Sequence, residues 1–108
     1  MDEIVDIQLL FSNMIRKDRI VLFLRGCSNF SVCGLSSTIS YILKKSCVKY
    51  KGVDLLTSPN LHRFLRDKYH PLIAPYLFVD AKFIGGFEEI LSLHNEGRLA
   101  SLLSANLY

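Results

Sequence analysis

Apolar residues at the start of the chain recur at helical spacing, and they are Ile4, Ile7, Phe11, Met14 and Ile15. This spacing predicts an amphipathic helix that ends at the basic cluster from Arg16 to Arg19. The next segment, Ile20 to Leu24, is continuously apolar. Such a short run is typical of a strand buried on both faces, so we expect it to be central in a sheet.

The middle of the chain repeats this alternation of helix and strand. After a loop over residues 26–32, one helical face carries Leu35, Ile39, Ile42, Leu43 and Cys47. This pattern predicts a second helix with Cys33 in its first turn. Lys49 to Leu55 favours a second strand, and Ser58-Pro59 then predicts the start of a helix that runs to about Tyr69.

The last third of the chain predicts a hairpin followed by helices. Tyr76 to Val79 and Lys82 to Ile84 are apolar runs joined by Asp80-Ala81, which indicates a β-hairpin although Ala is unusual in its turn. Gly85-Gly86 leads into a helix beginning near Phe87 and stopping at Gly97, and a short helix from Leu99 follows.

The order of these elements defines a fold class. A parallel βαβ half precedes an antiparallel hairpin half, which predicts an α/β, thioredoxin-like fold with a four-stranded mixed sheet flanked by helices. Because the chain has 108 residues, we expect residues 1–108 to form a single domain.

Composition and charge limit the cellular location, the redox state of the cysteines and the classes of ligand expected for this domain. No apolar run approaches the roughly 20 residues that span a bilayer, and the acidic start at Asp2 matches no export signal, so we expect a cytoplasmic protein without membrane contact. Three cysteines, an odd number, favour reduced thiols over a disulfide framework. The net charge of +3 is too weak and dispersed to indicate nucleic acid, whereas anionic small molecules remain possible ligands.

The candidate nucleophile is Cys33. It lies between a predicted buried strand and an amphipathic helix, where free backbone N–H groups and the helix dipole stabilise a thiolate, and Arg25 would add positive charge. The alternative, a buried structural thiol, suits Cys47 better, because a loop and Gly34 flank Cys33. Ser36 cannot form a disulfide with Cys33, which excludes dithiol turnover at this pair.

Three motifs together resemble a known family. Cys33-Gly34-Leu35-Ser36, Ala74-Pro75 and Phe83 to Glu88 are similar to the motifs of the CGFS-type monothiol glutaredoxins, over about Ile20 to Leu103. Arg25-Gly26 stands where that family has Lys-Gly. The resemblance implies a glutathione site and a glutathione-ligated [2Fe-2S] cluster that bridges two protomers, with functions in cluster assembly, cluster transfer and iron homeostasis.

The resemblance also assigns site residues. Cys33 would be both the catalytic thiol and the cluster ligand. Arg25 would bind the glycine carboxylate of glutathione, the backbone of Ala74 would bind its cysteinyl portion, and Pro75 is predicted to follow a cis peptide bond.

The γ-glutamyl end would lie against the start of the last long helix, at Gly86, Phe87 and Glu88. His62 stands where the family commonly has an Arg, and a neutral imidazole would bind the glycine carboxylate less well near pH 7. Arg63 or Arg66 would then compensate, although either could simply belong to a solvated helix face.

Several residues depart from the family pattern. Leu35 replaces a Phe and Pro71-Leu72-Ile73-Ala74 replaces Trp-Pro-Thr-Phe, which removes aromatic surface beside the thiol. Cys27, in the loop before Cys33, is a spare exposed thiol, an alternative resolving thiol or an extra cluster ligand. The spacing of His62, His70 and His94 indicates no zinc site.

Three functions therefore remain open. The first is an iron–sulfur carrier that forms a cluster-bridged homodimer and delivers its cluster to recipient proteins. The second is a glutathione-dependent thiol-disulfide oxidoreductase that acts on glutathionylated proteins by a monothiol mechanism. The third is a regulatory module that shares a cluster with a BolA-like partner.

Overall fold

The chain follows the predicted order of helices and strands. The computed structural model describes residues 6–25, 34–45 and 49–104, with backbone alone at residues 34–37, 40 and 104. Its elements are α1 (Ile7–Lys17), β1 (Ile20–Leu24), α2 (Gly34–Lys45), β2 (Lys51–Asp54), α3 (Pro59–Lys68), β3 (Tyr76–Val79), β4 (Lys82–Gly85), α4 (Phe87–Asn95) and α5 (Leu99–Ser104).

Strand β2 is shorter than the sequence predicts. The chain turns into a single 3-10 turn, Leu55–Thr57, immediately after Asp54. The Asp54 carboxylate accepts a hydrogen bond from the Leu56 N–H at 2.9 Å, which caps this turn and ends the strand.

The four strands form one mixed sheet in the order β2-β1-β3-β4. Strand β1 is parallel to β2, where Phe23 pairs with Val53. It is antiparallel to β3, where Leu22 pairs with Leu77, and β3 is antiparallel to β4. The predicted α/β fold with a four-stranded mixed sheet and a central first strand is therefore confirmed.

Side chains of β1 alternate between two separate cores, one on each face of the sheet. Leu22 packs with Ile39 of α2, Ile90 of α4 and residues of α5. Phe23 points to the other face, in the cluster that holds residues of α1 and α3. Because helices cover both faces, all five residues of β1 are buried, as the continuous apolar run predicts.

The hairpin between β3 and β4 has an unusual turn. Asp80 and Ala81 have φ angles of 53° and 66°, so both central residues are left-handed, as a type I′ turn requires. The Asp80 N–H donates to the Arg19 carbonyl at 2.8 Å. The Arg19 guanidinium lies beside the Asp80 carboxylate and donates to the Leu103 carbonyl, which connects β1, the turn and α5.

Candidate functional site

A cavity of about 200 Å³ lies at the end of β1, and its lining residues are Arg25, His62, Arg66, Ile73 and Ala74. Three elements contribute to it. Arg25 directly follows β1, His62 and Arg66 are one turn apart on α3, and Ala74 lies shortly before β3. The structure therefore brings together three residues that the sequence predicts for the site, namely Arg25, His62 and Ala74.

The electrostatics of this cavity favour an anion. Arg25 and Arg66 each contribute a positively charged guanidinium group. Partial burial lowers the pKa of His62 below its ordinary value of 6.5, and the charges of Arg66 and Arg25 lower it further. Near pH 7, the free cavity thus holds two cations and a largely neutral imidazole.

The structure shows which of the two arginines, Arg63 or Arg66, lies in the cavity with His62. Arg66 lines the cavity, because it follows His62 by four residues and so lies on the same helical face. Arg63 lines a separate groove between α1 and α3, with Leu10 and Phe64 among its neighbours. Arg66 is therefore the arginine placed to act together with His62.

Buried side chains and a hydrogen bond fix the position of the cavity wall formed by residues 72–76. Ala74 is 3% exposed and Tyr76 is fully buried. The Tyr76 hydroxyl donates to the Leu72 carbonyl at 3.1 Å, and burial raises the pKa of this phenol, so it stays protonated. Ile73, one of the residues that depart from the family pattern, is 59% exposed at the cavity.

The predicted cis peptide bond between Ala74 and Pro75 is confirmed. A second cis bond joins His70 to Pro71. This bond was not predicted, although Pro71 is a residue type that permits it.

Gly86 brings the start of α4 next to this wall. A Cβ atom at Gly86 would lie 3.5 Å from the Pro75 carbonyl oxygen. The Gly86 N–H donates to the Glu89 carboxylate at 2.9 Å, so it already has an acceptor. The sequence places Glu89 in the first turn of this helix, but its capping role was not predicted, although a Glu three residues after a helix N-cap is a recognised capping signal.

The other two residues predicted for this end of the site differ in exposure. The Phe87 side chain packs against the core formed by α2, α4 and α5, whereas Glu88 is exposed. The first backbone hydrogen bond of α4 runs from Ile90 to Gly86. The N–H groups of Phe87 and Glu88 therefore have no acceptor within the helix and point toward its N-terminal side.

Cys33, Cys27, Gly26 and Cys47 lie outside the described residues. Helix α2 begins at Gly34, the residue after Cys33, and Ser36 lies in its first turn. Within residues 6–25, 34–45 and 49–104, no group of three or more His, Cys, Asp or Glu side chains could hold a metal ion. In the same ranges, no helix is long and apolar enough to cross a bilayer.

Solved structures identify the class of this fold. A buckwheat glutaredoxin, determined as a complex with glutathione, matches with a TM-score of 0.79 and 18% identity over 92% of this chain and 88% of that chain. Reduced apo GrxS14 from poplar matches with a TM-score of 0.75 and 24% identity, over 91% and 90% of the two chains. The fold is that of the glutaredoxins.

Sequence relatives then indicate which type of glutaredoxin this chain resembles. No protein-family model matches the chain, but a probable monothiol glutaredoxin 2 from Rickettsia typhi is 29% identical over 91 residues, which cover 84% of this chain and 82% of that protein. Plant relatives are named chloroplastic monothiol glutaredoxins. The chain is a relative of the monothiol glutaredoxins, and the resemblance of its motifs to that type is confirmed.

Proposed function

We propose that this protein binds glutathione in the cavity beside β1 and carries a glutathione-ligated [2Fe-2S] cluster on Cys33, for cluster assembly, cluster transfer and iron homeostasis. The observation that carries the proposal is the cationic cavity formed by Arg25, His62, Arg66 and Ala74. Arg25, which lines the cavity, precedes Cys33 by eight residues in the sequence, and helix α2 begins at Gly34, directly after Cys33.

Glutathione has a carboxylate at each end, and the proposed site has guanidinium groups for one end and free backbone N–H groups for the other. The glycine carboxylate would contact Arg25 and Arg66, and the cysteinyl backbone would pair with Ala74. The γ-glutamyl carboxylate would accept from the N–H groups of Phe87 and Glu88, where the dipole of α4 favours negative charge. A buckwheat glutaredoxin of the same fold binds glutathione, which supports this assignment.

The cluster would be a cargo shared between two chains. A [2Fe-2S] cluster held by thiolates needs four of them, and one glutaredoxin motif offers only Cys33. Two chains and two glutathione molecules complete the set, which predicts a cluster-bridged homodimer. A BolA-like protein in place of the second chain, iron–sulfur recipient proteins and a cytoplasmic location complete the proposal, with residues 1–108 as one domain.

The monothiol oxidoreductase is the second candidate, because it uses the same cationic cavity and the same single thiol. The Cys33 thiolate would attack the glutathione sulfur of a glutathionylated protein, forming a mixed disulfide and releasing the protein as a thiolate. A second glutathione thiolate would then attack the glutathione sulfur of that mixed disulfide, releasing the Cys33 thiolate and glutathione disulfide.

Anaerobic reconstitution tests the proposal. The protein is incubated with iron and sulfide, with and without glutathione, and its visible absorption and its mass by size exclusion are recorded. Glutathione-dependent colour in a dimer supports the carrier function. A colourless monomer that reduces a glutathionylated protein contradicts it and supports the oxidoreductase.

Two cysteine variants complete this test. Cys33→Ser should abolish the cluster, whereas Cys47→Ser should retain it at some cost in stability. A cluster retained in Cys33→Ser would contradict the assignment of Cys33 as its ligand.

A further inference from the structure

We infer that His62 takes up a proton when a carboxylate ligand enters the cavity beside β1, so that the affinity for the ligand increases as the pH falls toward 5.5. This inference rests on the proposed function, because it concerns the glycine carboxylate of glutathione. It assigns to His62 a role in setting the pH range of binding that an arginine at this position would not have.

The position of His62 makes such coupling possible. Its half-buried side chain lines the cavity together with two permanent cations, Arg66 from its own helix and Arg25 from the end of β1. The third wall, formed by Ile73 and Ala74, has no titratable side chain.

Other charged or titratable groups nearby face elsewhere. Arg63 and Asp67, also on α3, line the groove on the α1 side of the helix. Behind the wall at Ala74, the Tyr76 phenol is buried and donates to the Leu72 carbonyl. Among the described residues that line the cavity, Arg25, Arg66 and His62 itself are therefore the ionisable groups that determine the charge seen by an entering anion.

A bound carboxylate reverses the net electrostatic effect of the cavity on His62. In the free protein, burial and the two guanidinium groups disfavour the imidazolium and lower the pKa of His62. A carboxylate between these groups compensates the charges of Arg25 and Arg66 and attracts the imidazolium, so binding raises the pKa. The bound state then holds more protons than the free state at pH values between the two pKa values.

The direction of the pH effect follows from this difference. Affinity is highest below the pKa of free His62 and decreases as the pH rises through the pKa of the complex. A rise of about one pKa unit on binding corresponds to an affinity change of roughly tenfold across this range.

The test uses S-methylglutathione, which keeps both carboxylates but cannot form a disulfide with Cys33. Calorimetric titration at pH 5.5 and 7.5, in buffers of different ionisation enthalpy, gives affinity and proton uptake, and NMR titration gives the pKa of the His62 imidazole with and without ligand. We expect binding that is about five- to tenfold weaker at pH 7.5, with proton uptake and a raised imidazole pKa.

Three variants separate His62 from other causes. His62→Gln and His62→Arg should both show nearly pH-independent binding, and His62→Arg should bind more tightly at pH 7.5. His94→Gln changes an exposed histidine on α4 that does not line the cavity, and it should keep the pH dependence of the wild type.

Two results would overturn the inference in distinguishable ways. Equal affinity at both pH values, with an imidazole pKa that the ligand leaves unchanged, would contradict proton uptake by His62 and leave the proposed function intact. No binding by the wild type or by His62→Arg at either pH would contradict the glutathione site itself, and the inference with it. The NMR titration of the wild type decides the matter even where a variant fails to fold.

Discussion

The side chain of Glu89 occupies the space that any side chain at Gly85 would need. A Cβ atom built at Gly85 would lie 2.4 Å from the Cβ of Glu89. Gly85 also has a φ angle of +152°, which side-chain-bearing residues rarely adopt. The end of β4 and the start of α4 can therefore approach this closely only because residue 85 is glycine.

Gly85→Ala should destabilise the protein by roughly 2–4 kcal/mol, because it adds both a steric overlap and backbone strain. Gly97→Ala is the matched control: its φ of +74° is also positive, but nothing lies within 4 Å of the added Cβ. It should cost only about 1 kcal/mol. Urea denaturation of both variants measures the difference, and equal losses would contradict the role of Glu89.

Arg66→Gln should weaken glutathione binding at least tenfold, because a charge-assisted contact contributes about 1.5 kcal/mol or more. Arg63→Gln removes the same charge from the same helix, but Arg63 lines the groove beside α1. It should leave the affinity within about twofold of the wild type, since distant exposed charges are screened. Calorimetry on both variants checks this, and similar losses would show that only net charge matters.

Arg19→Met should destabilise the protein by about 1–2 kcal/mol, since it removes a charged hydrogen-bond donor from a partly buried position. The guanidinium connects the Asp80 carboxylate and the Leu103 carbonyl. Arg98→Met is the control, because Arg98 pairs with Glu96 in an exposed ion pair at 3.2 Å. This variant should lower the free energy of unfolding by less than about 0.5 kcal/mol. Thermal unfolding should rank the two variants in this order.

Ala81→Gly should stabilise the protein by about 0.5–1 kcal/mol. Relief of the left-handed strain at φ 66° exceeds the entropy that glycine adds to the unfolded chain. Ala81→Val, with a β-branched side chain in the same conformation, should be destabilising. Chemical denaturation measures whether each variant gains or loses stability, and a loss in Ala81→Gly would contradict the turn geometry.

The fold was largely predictable because its strongest signals are local. Ile20 to Leu24 is uniformly apolar, and the structure buries all of it between two helical layers. Pro59 occupies the first turn of α3, as the Ser58-Pro59 pair predicts, although the Ser58 side chain makes no capping hydrogen bond. Spacing and turn residues thus determine where elements begin, even where an individual contact is not formed.

The candidate site was less predictable because it depends on which face of each element is used. Helical spacing places Arg66 rather than Arg63 on the face of His62, but it could not show that this face of α3 lines a cavity. Only the packing of α3 against the segment at Ala74 turns Arg66 toward the cavity. The contact between Gly85 and Glu89 likewise depends on the angle between β4 and α4, which no local pattern specifies.

The separation of the two cores has a consequence for the evolution of the site. Ala74 belongs to the core beneath α1 and α3, whereas Phe87 packs against the core beneath α2, α4 and α5. The wall that would receive the cysteinyl backbone and the helix start that would receive the γ-glutamyl group therefore rest on separate sets of side chains. Substitutions accumulating in one core can adjust one end of the ligand site while the other end keeps its ancestral shape.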